Sequence, residues 1–106
     1  MRQETSHILI GGFVAMGFDP SGSWLLTVSH SGRGVFSAGS WQRVARDPTV
    51  LYPKDGAIQG IGPLAGTQVE VVSRNERHEQ VTLQSPNGKF HLVGESDGIT
   101  VHALGA

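Results

Sequence analysis

The sequence predicts a small all-β domain. It contains fifteen glycines and five prolines in 106 residues, which supply many turns, and it has no extended run of strong helix-forming residues. Between the turn signals lie short segments in which apolar residues recur at every second position, as in strands with one buried face. A chain of this length supports one hydrophobic core, so we expect a single domain over residues 1–106.

The N-terminal part predicts an edge strand followed by a hairpin. His7 to Ile10 is short and rich in β-branched residues, and Gly11 and Gly12 end it. Phe13 to Phe18 alternates larger and smaller apolar residues and predicts a second strand. Asp19 to Gly22 reads Asp-Pro-Ser-Gly, which favours a type I turn: the Asp side chain accepts a hydrogen bond two residues on, and Pro presets φ.

Ser23 to Ser29 predicts a central strand covered on both sides. Trp24 falls on one face and Leu25 on the other, and both faces are largely apolar. We therefore expect the Trp24 ring to be buried. The following segment, His30 to Gly34, predicts a loop in which Gly32 and Gly34 adopt positive φ.

After Val35 and Phe36, which continue the extended chain, Trp41 to Ala45 predicts a fourth strand, with a single helical turn as the alternative. Residues 47–66 hold three prolines and four glycines and predict a long connection. Connections of that length often carry function. The second half predicts four more strands separated by polar turns at Arg74–His78 and Ser85–Gly88. These strands are Thr67–Ser73, Glu79–Gln84, Lys89–Gly94 and Ile99–Ala103.

The chain also contains an internal repeat. Pro20 to Leu26 aligns with Pro86 to Leu92, matching Pro, Gly, an aromatic residue and Leu. Gly34 then aligns with Gly98 if the first copy has two extra residues in its loop. The repeat predicts two antiparallel meanders, over about residues 13–46 and 69–104, packed as a small sandwich or half-barrel. Chance recurrence of Pro-x-Gly hairpins is the alternative.

Each copy resembles a β-propeller blade of the WD-repeat kind, although neither ends in a Trp-Asp pair. Two blades are too few to close a ring, since typical propellers have four to eight. The resemblance therefore implies either a two-meander sandwich or a unit completed by self-association.

Composition favours no nucleic-acid or membrane partner. Eight basic and nine acidic residues give a net charge of −1, so no global basic field attracts polyanions. The absence of cysteine removes disulfides and thiolate chemistry. The N-terminus lacks the features of a signal peptide, and no apolar stretch is long enough to span a bilayer, so we expect a cytoplasmic protein.

No motif predicts catalysis, a cofactor or a metal site. The histidines show no spacing typical of a metal site; they are His7, His30, His78, His91 and His102. Ser29 and His30 suggest a small hydrolase as the least favoured alternative. Neighbouring strand residues point to opposite sides, however, and no acid lies nearby to orient the imidazole. The sequence therefore predicts a protein that is not an enzyme.

The residues that most suggest binding are one tryptophan, three arginines and one histidine, since Arg and Trp are enriched at binding hot spots. The predicted partner-binding set is His30, Arg33, Trp41, Arg43 and Arg46. The alternative for these residues is structural: Trp41 caps the core, and the arginines pair with Asp47 and Asp19.

A second resemblance suggests the partner. The stretch FDPSGSWLLTVSHSGRGVFS, followed by WQRVARD, a Tyr-Pro dipeptide and GIGPL, is similar to small bacterial immunity proteins of toxin–immunity pairs. The resemblance implies that the chain binds a cognate protein toxin and blocks it without chemistry of its own. A self-associating structural β module is the alternative.

Overall fold

A computed structural model describes residues 5–74 and 80–104. It confirms the all-β class: these residues form two antiparallel sheets of four and five strands, a separate two-stranded hairpin, and a 3₁₀ turn at Gly62–Leu64. The strands are β1 Thr5–Leu9, β2 Phe13–Phe18, β3 Trp24–Ser29, β4 Gly32–Ser37, β5 Arg43–Asp47, β6 Ala57–Gln59, β7 Gln68–Glu70, β8 Val72–Ser73, β9 Val81–Gln84, β10 Phe90–Glu95 and β11 Gly98–Ala103.

The two sheets are meanders with matching strand order. The first runs β5-β4-β3-β2-β8 and the second β1-β11-β10-β9. The predicted central position of β3 is confirmed, as is the predicted edge position of the first strand. In the first sheet the outermost strand next to β4 is β5. In the second sheet the equivalent outermost strand, next to β11, is β1, which comes from the N-terminal part of the chain. Each sheet thus contains four adjacent antiparallel strands in equivalent places, and in the second sheet the outermost of these strands comes from the start of the sequence.

The sheets pack face to face as the predicted sandwich. Their shared core includes Phe13, Met16 and Leu25 from the first sheet and Leu92 and Val101 from the second. Burial of these apolar side chains supplies the main driving force for packing the sheets. The type I turn after β2 is also confirmed: Gly22 donates to the Asp19 carbonyl at 2.9 Å, and neither Pro20 nor Ser21 has the positive φ that types II, I′ and II′ require.

The opposite face of the first sheet is covered by the segment that the sequence predicts to be a connection. That prediction is wrong in part: residues 47–66 include β6 and the 3₁₀ turn. Ile58 and Leu64 from this segment, with Val69 from β7, pack against Leu26 and Val28 of β3. A third layer forms because both faces of β3 are apolar and the second face needs a cover of its own.

The repeat holds without the two-residue gap that the sequence predicts. A two-residue turn separates β3 from β4, and another of the same length separates β10 from β11, so Gly98 corresponds to Gly32 rather than to Gly34. The predicted loop His30–Gly34 is therefore wrong over its last three residues, which belong to β4. Gly32 has positive φ as expected, whereas Gly34 lies within the regular strand.

Two further boundaries differ from the prediction. The strand predicted at Trp41–Ala45 begins at Arg43, because Trp41 has φ of 57° and forms part of the turn; the helical alternative is wrong. The strand predicted at Thr67–Ser73 is broken at Val71, where the chain leaves β6 and joins β2. The ring of Trp24 is half-buried rather than fully buried.

The predicted turn at Arg74–His78 lies outside the described residues except for Arg74. Within the described ranges, no helix has the length and apolar character required to cross a bilayer.

Candidate functional site

A cleft of about 280 Å³ lies where the two sheets separate near the end of β1. The end of β1 and the residues after it form one wall, and the inner side of β3, β4 and β5 forms the other. The residues that give the cleft its chemical character are Leu9, Ile10, Thr27, Ser29, Arg43 and Arg46. It is therefore apolar on one wall and polar with basic groups on the other.

Two of the predicted binding residues, Arg43 and Arg46, meet in this cleft. Residues three apart on a regular strand face opposite sides. Here the β4–β5 register shifts, so that Phe36 pairs with Arg43 while Gly34 pairs with Arg46. The extra residue of the resulting bulge, Val44, turns both guanidinium groups to the same side of β5.

The polar floor of the cleft is formed by strand residues with small or hydroxyl-bearing side chains. Gly32 and Gly34 contribute no side chain, which keeps the floor open. Thr27 donates to the Gly34 carbonyl at 3.3 Å, and Ser29 donates to the Gly32 carbonyl at 3.4 Å. Both hydroxyl groups are buried against the floor. Both donated hydrogen bonds are longer than the usual 2.7–2.8 Å for hydroxyl donors, so the two O–H groups are weakly held. The Ser29 oxygen is held in addition by the Ser31 backbone N–H, which donates to it at 3.1 Å.

The cleft is lined by two guanidinium groups that form no ion pair with a carboxylate of the described residues. Arg43 and Arg46 are exposed, and neither forms an ion pair within the part of the chain that the structure describes. The ion pair formed by the described residues, Arg33 with Asp47, uses a different arginine. The two exposed guanidinium groups are therefore available to a ligand or a partner.

Arg33, also in the predicted set, lies in the interior with 7% of its surface exposed. It pairs across the strands with Val28, so its side chain extends to the face covered by β6 rather than into the cleft. One terminal nitrogen donates to the Gln59 carbonyl at 2.9 Å, and the other lies 3.1 Å from an Asp47 carboxylate oxygen. These contacts attach β6 to the edge of the first sheet.

The Asp47 carboxylate has further partners in the loop that follows β5. Its pKa is held below the ordinary aspartate value by hydrogen bonds from the backbone and side chain of Thr49, with a smaller contribution from the Arg33 charge. The carboxylate thus remains charged opposite Arg33 at neutral pH.

Trp41 caps the shared core at its edge. Its ring packs edge-on against Phe90, with centroids 4.9 Å apart, and against Phe18 at 6.4 Å. Such aromatic pairs join the two sheets. The structure thus places Trp41 in the packing between the sheets and apart from the cleft lining.

His30 lies in the turn between β3 and β4, next to Ser31, which lines the cleft. Its Nδ1 is 2.8 Å from the Tyr52 hydroxyl, and the two rings also pack edge-on. The Ser29 hydroxyl is directed instead to the Gly32 carbonyl. A hydrolase would need Ser29 and His30 to form a hydrogen-bonded pair in which His activates the nucleophile, and the structure does not bring them together in this way.

Sequence reasoning missed Tyr52, Leu9 and Thr27, and it considered Ser29 only as a hydrolase residue. A tyrosine between two loop residues gives no periodic signal, and contact between Leu9 and the arginines depends on how the sheets pack.

Metal-binding potential is limited in the described ranges: no group of three or more His, Asp or Glu side chains converges on one point. His91 and His102 face each other across β10 and β11 with ring centroids 6.3 Å apart.

Comparison with protein-family models, with characterised proteins and with solved structures finds no match to this chain.

Proposed function

We propose that the chain is a non-catalytic protein-binding module of the immunity type, which binds a cognate bacterial toxin in the cytoplasm and blocks it. The observation that carries the proposal is the pair of unbalanced guanidinium groups, Arg43 and Arg46, beside exposed apolar surface. Leu9, across the cleft from them, is 87% exposed. Arginine is enriched at binding hot spots, and an exposed apolar side chain beside it adds surface that a partner can bury.

The proposed binding surface extends from the cleft through the turn between β3 and β4. Ser31 lines the cleft, and the adjacent His30 contacts Tyr52, which is 54% exposed. We call Leu9, His30, Arg43, Arg46 and Tyr52 the binding face. It combines two cations, two exposed apolar or aromatic groups and an imidazole on β1, the β3–β4 turn, β5 and the loop after it.

The charges of the binding face indicate the chemistry of the partner. Two arginines that form no ion pair with the residues the structure describes favour a surface that presents Asp or Glu, because charge complementarity speeds encounter and fixes orientation. The cleft lining within the described residues has hydroxyl and guanidinium groups but no carboxylate or imidazole. A lining of this kind suits recognition better than general acid–base chemistry.

The proposal is tested by binding to the toxic domain encoded beside this chain, measured by calorimetry and by protection of cells from that domain. We expect Arg46→Glu to weaken binding at least about tenfold, because it places a like charge against an acidic surface. Lys89→Glu is the matched control, since Lys89 is exposed in the turn between β9 and β10 and does not line the cleft. Absence of binding, or equal losses in the two variants, would refute the proposal.

Self-association is the second candidate, supported by the strand edges. β5 and β1 end their sheets, and Val44 on β5 is 48% exposed. An open edge can pair with the same edge of a second copy. Light scattering over a hundredfold concentration range separates the candidates: a constant monomer mass removes self-association, and a rise in mass that Val44→Lys suppresses supports it.

A further inference from the structure

We infer that the cleft between the sheets is a binding pocket for one oxyanion, a phosphate or carboxylate group, held by Arg43 and Arg46 over the Thr27–Ser29 floor. This inference goes beyond the proposed function, because it requires no protein partner and concerns a small ligand.

The first support is the convergence of donors. The β-bulge turns both guanidinium groups into the same cleft, and each presents N–H donors in a planar fork that matches the oxygens of phosphate or carboxylate. Neither fork is occupied by a carboxylate in the described part of the chain. The cleft therefore offers charge-assisted donors without a built-in competitor.

The second support is the floor. Thr27 and Ser29 are 3% and 6% exposed, and the hydrogen bonds that their hydroxyls donate to the strand carbonyls are long, although Ser29 Oγ also accepts from the Ser31 backbone N–H at 3.1 Å. A hydroxyl can rotate to donate to a stronger acceptor. An anion above Gly34 would be such an acceptor. Because Gly34 has no side chain, the oxygens of the anion can reach the hydroxyls of the floor.

The third support is size and the opposite wall. The cleft of about 280 Å³ exceeds by several-fold the volume of about 30 Å³ that one water occupies in the liquid. It thus has room for a phosphate group together with part of an attached molecule. Leu9 and Ile10 form an apolar wall against which that remainder can pack. Inorganic phosphate and a small organic acid are therefore the two sources to distinguish.

The test is an amide NMR titration of the full chain with inorganic phosphate, and separately with citrate, at constant ionic strength. We expect saturable shifts centred on Thr27, Ser29 and Gly34 with at least one of the two anions. Tighter binding of citrate identifies a carboxylate ligand, and tighter binding of phosphate identifies a phosphate ligand. Chloride at the same ionic strength should leave these signals unchanged.

Three variants make the result specific. Arg43→Gln and Arg46→Gln should each weaken the anion at least about tenfold, as expected for loss of a charged hydrogen-bonding partner. Lys89→Gln removes the same charge outside the cleft. It should leave the affinity within about twofold of the wild type, since salt screens the effect of an exposed charge that does not contact the anion.

Gly34→Ala retains both arginines and narrows the floor, because the added methyl would lie 3.3 Å from the Thr27 hydroxyl and 3.6 Å from Arg43 Cδ. It should weaken the anion while the remaining spectrum stays that of the folded chain. Shifts that never saturate with either anion, or an equal loss in Lys89→Gln, would overturn the inference. Toxin binding that survives such a result would leave the proposed function standing, so the two can fail separately.

Discussion

Gly32 and Gly98 occupy equivalent positions in the two sheets. Each begins the strand after a two-residue turn, and their φ values are 121° and 145°. Each also lies against the backbone of the outermost strand of its own sheet: a Cβ on Gly32 would be 2.1 Å from the Asp47 carbonyl oxygen, and one on Gly98 would be 2.0 Å from that of Ile8. The repeat therefore includes the edge strands, because β1 packs against Gly98 in the second sheet in the same way that β5 packs against Gly32 in the first.

Two constraints act on Gly32 and Gly98: positive φ and the close approach of a neighbouring backbone. Alanine substitutions at three glycines separate their effects. Gly98→Ala combines the backbone clash with positive φ and should cost about 3 kcal/mol or more of unfolding free energy. Gly39→Ala has φ of 101° but open space around it, and should cost about 1–2 kcal/mol. Gly11→Ala has neither constraint and should stay within about 0.5 kcal/mol. Urea denaturation measures the series, and a different order would contradict the close approach of β1.

A circular permutant tests the position of β1. Thr5 pairs with His102, so the start of β1 lies beside the end of β11. We expect a chain that begins at Gly11 and carries residues 1–10 after residue 106 to fold into the same sheets, since β1 then follows β11 as a hairpin. Circular dichroism and amide NMR should match the parent chain. Deletion of residues 1–10 is the comparison, and it should unfold or strongly destabilise the protein because Ile8 is part of the shared core.

The Arg33–Asp47 ion pair should respond unequally to loss of either partner. Arg33→Met keeps an apolar stem in the buried site and leaves Asp47 partly hydrated, so it should cost only about 1–2 kcal/mol. Asp47→Ala leaves the buried guanidinium without its counter-charge and removes the hydrogen bond to Thr49, so it should lower the melting temperature further. The double variant should be closer to Arg33→Met than to Asp47→Ala. Greater damage from Arg33→Met would contradict this prediction and would show that the hydrogen bond from Arg33 to the Gln59 carbonyl matters more than the ion pair.

Stability should fall in acid through Asp19. Partial burial raises the pKa of this carboxyl, but hydrogen bonds from the Ser21 hydroxyl and from backbone N–H groups, that of Trp24 foremost, outweigh the effect and hold the pKa below its ordinary value. Because the folded-state pKa is the lower one, the stabilisation is fully present above about pH 4 and is lost as the pH falls through the folded-state value. Asp19→Asn should therefore differ from the wild type at pH 6 and approach it at pH 2.5 in chemical denaturation. A difference that grows in acid would have the wrong sign.

Much of the framework could be predicted from local signals. Alternation located β2, turn chemistry located the bend at Asp19–Gly22, and the apolar faces of β3 indicated its central place. The third layer could not be foreseen, because Ile58 and Leu64 stand singly among glycines and prolines and give no period. The sequence left two roles open for Arg33, partner binding and pairing with Asp47. Only the burial of its guanidinium group in the structure distinguishes them.

The sequence by itself determined the all-β class, the single repeated meander and the identity of the cations near the candidate site. Turn residues and side-chain periodicity act over a few positions, so these features can be recognised without the fold. Only the tertiary structure decided that β1 completes the second sheet, and that Arg43 and Arg46 face one cleft with Leu9. Those outcomes depend on a β-bulge and on the packing of segments distant in the chain, where the free energy lies in contacts that local sequence does not encode.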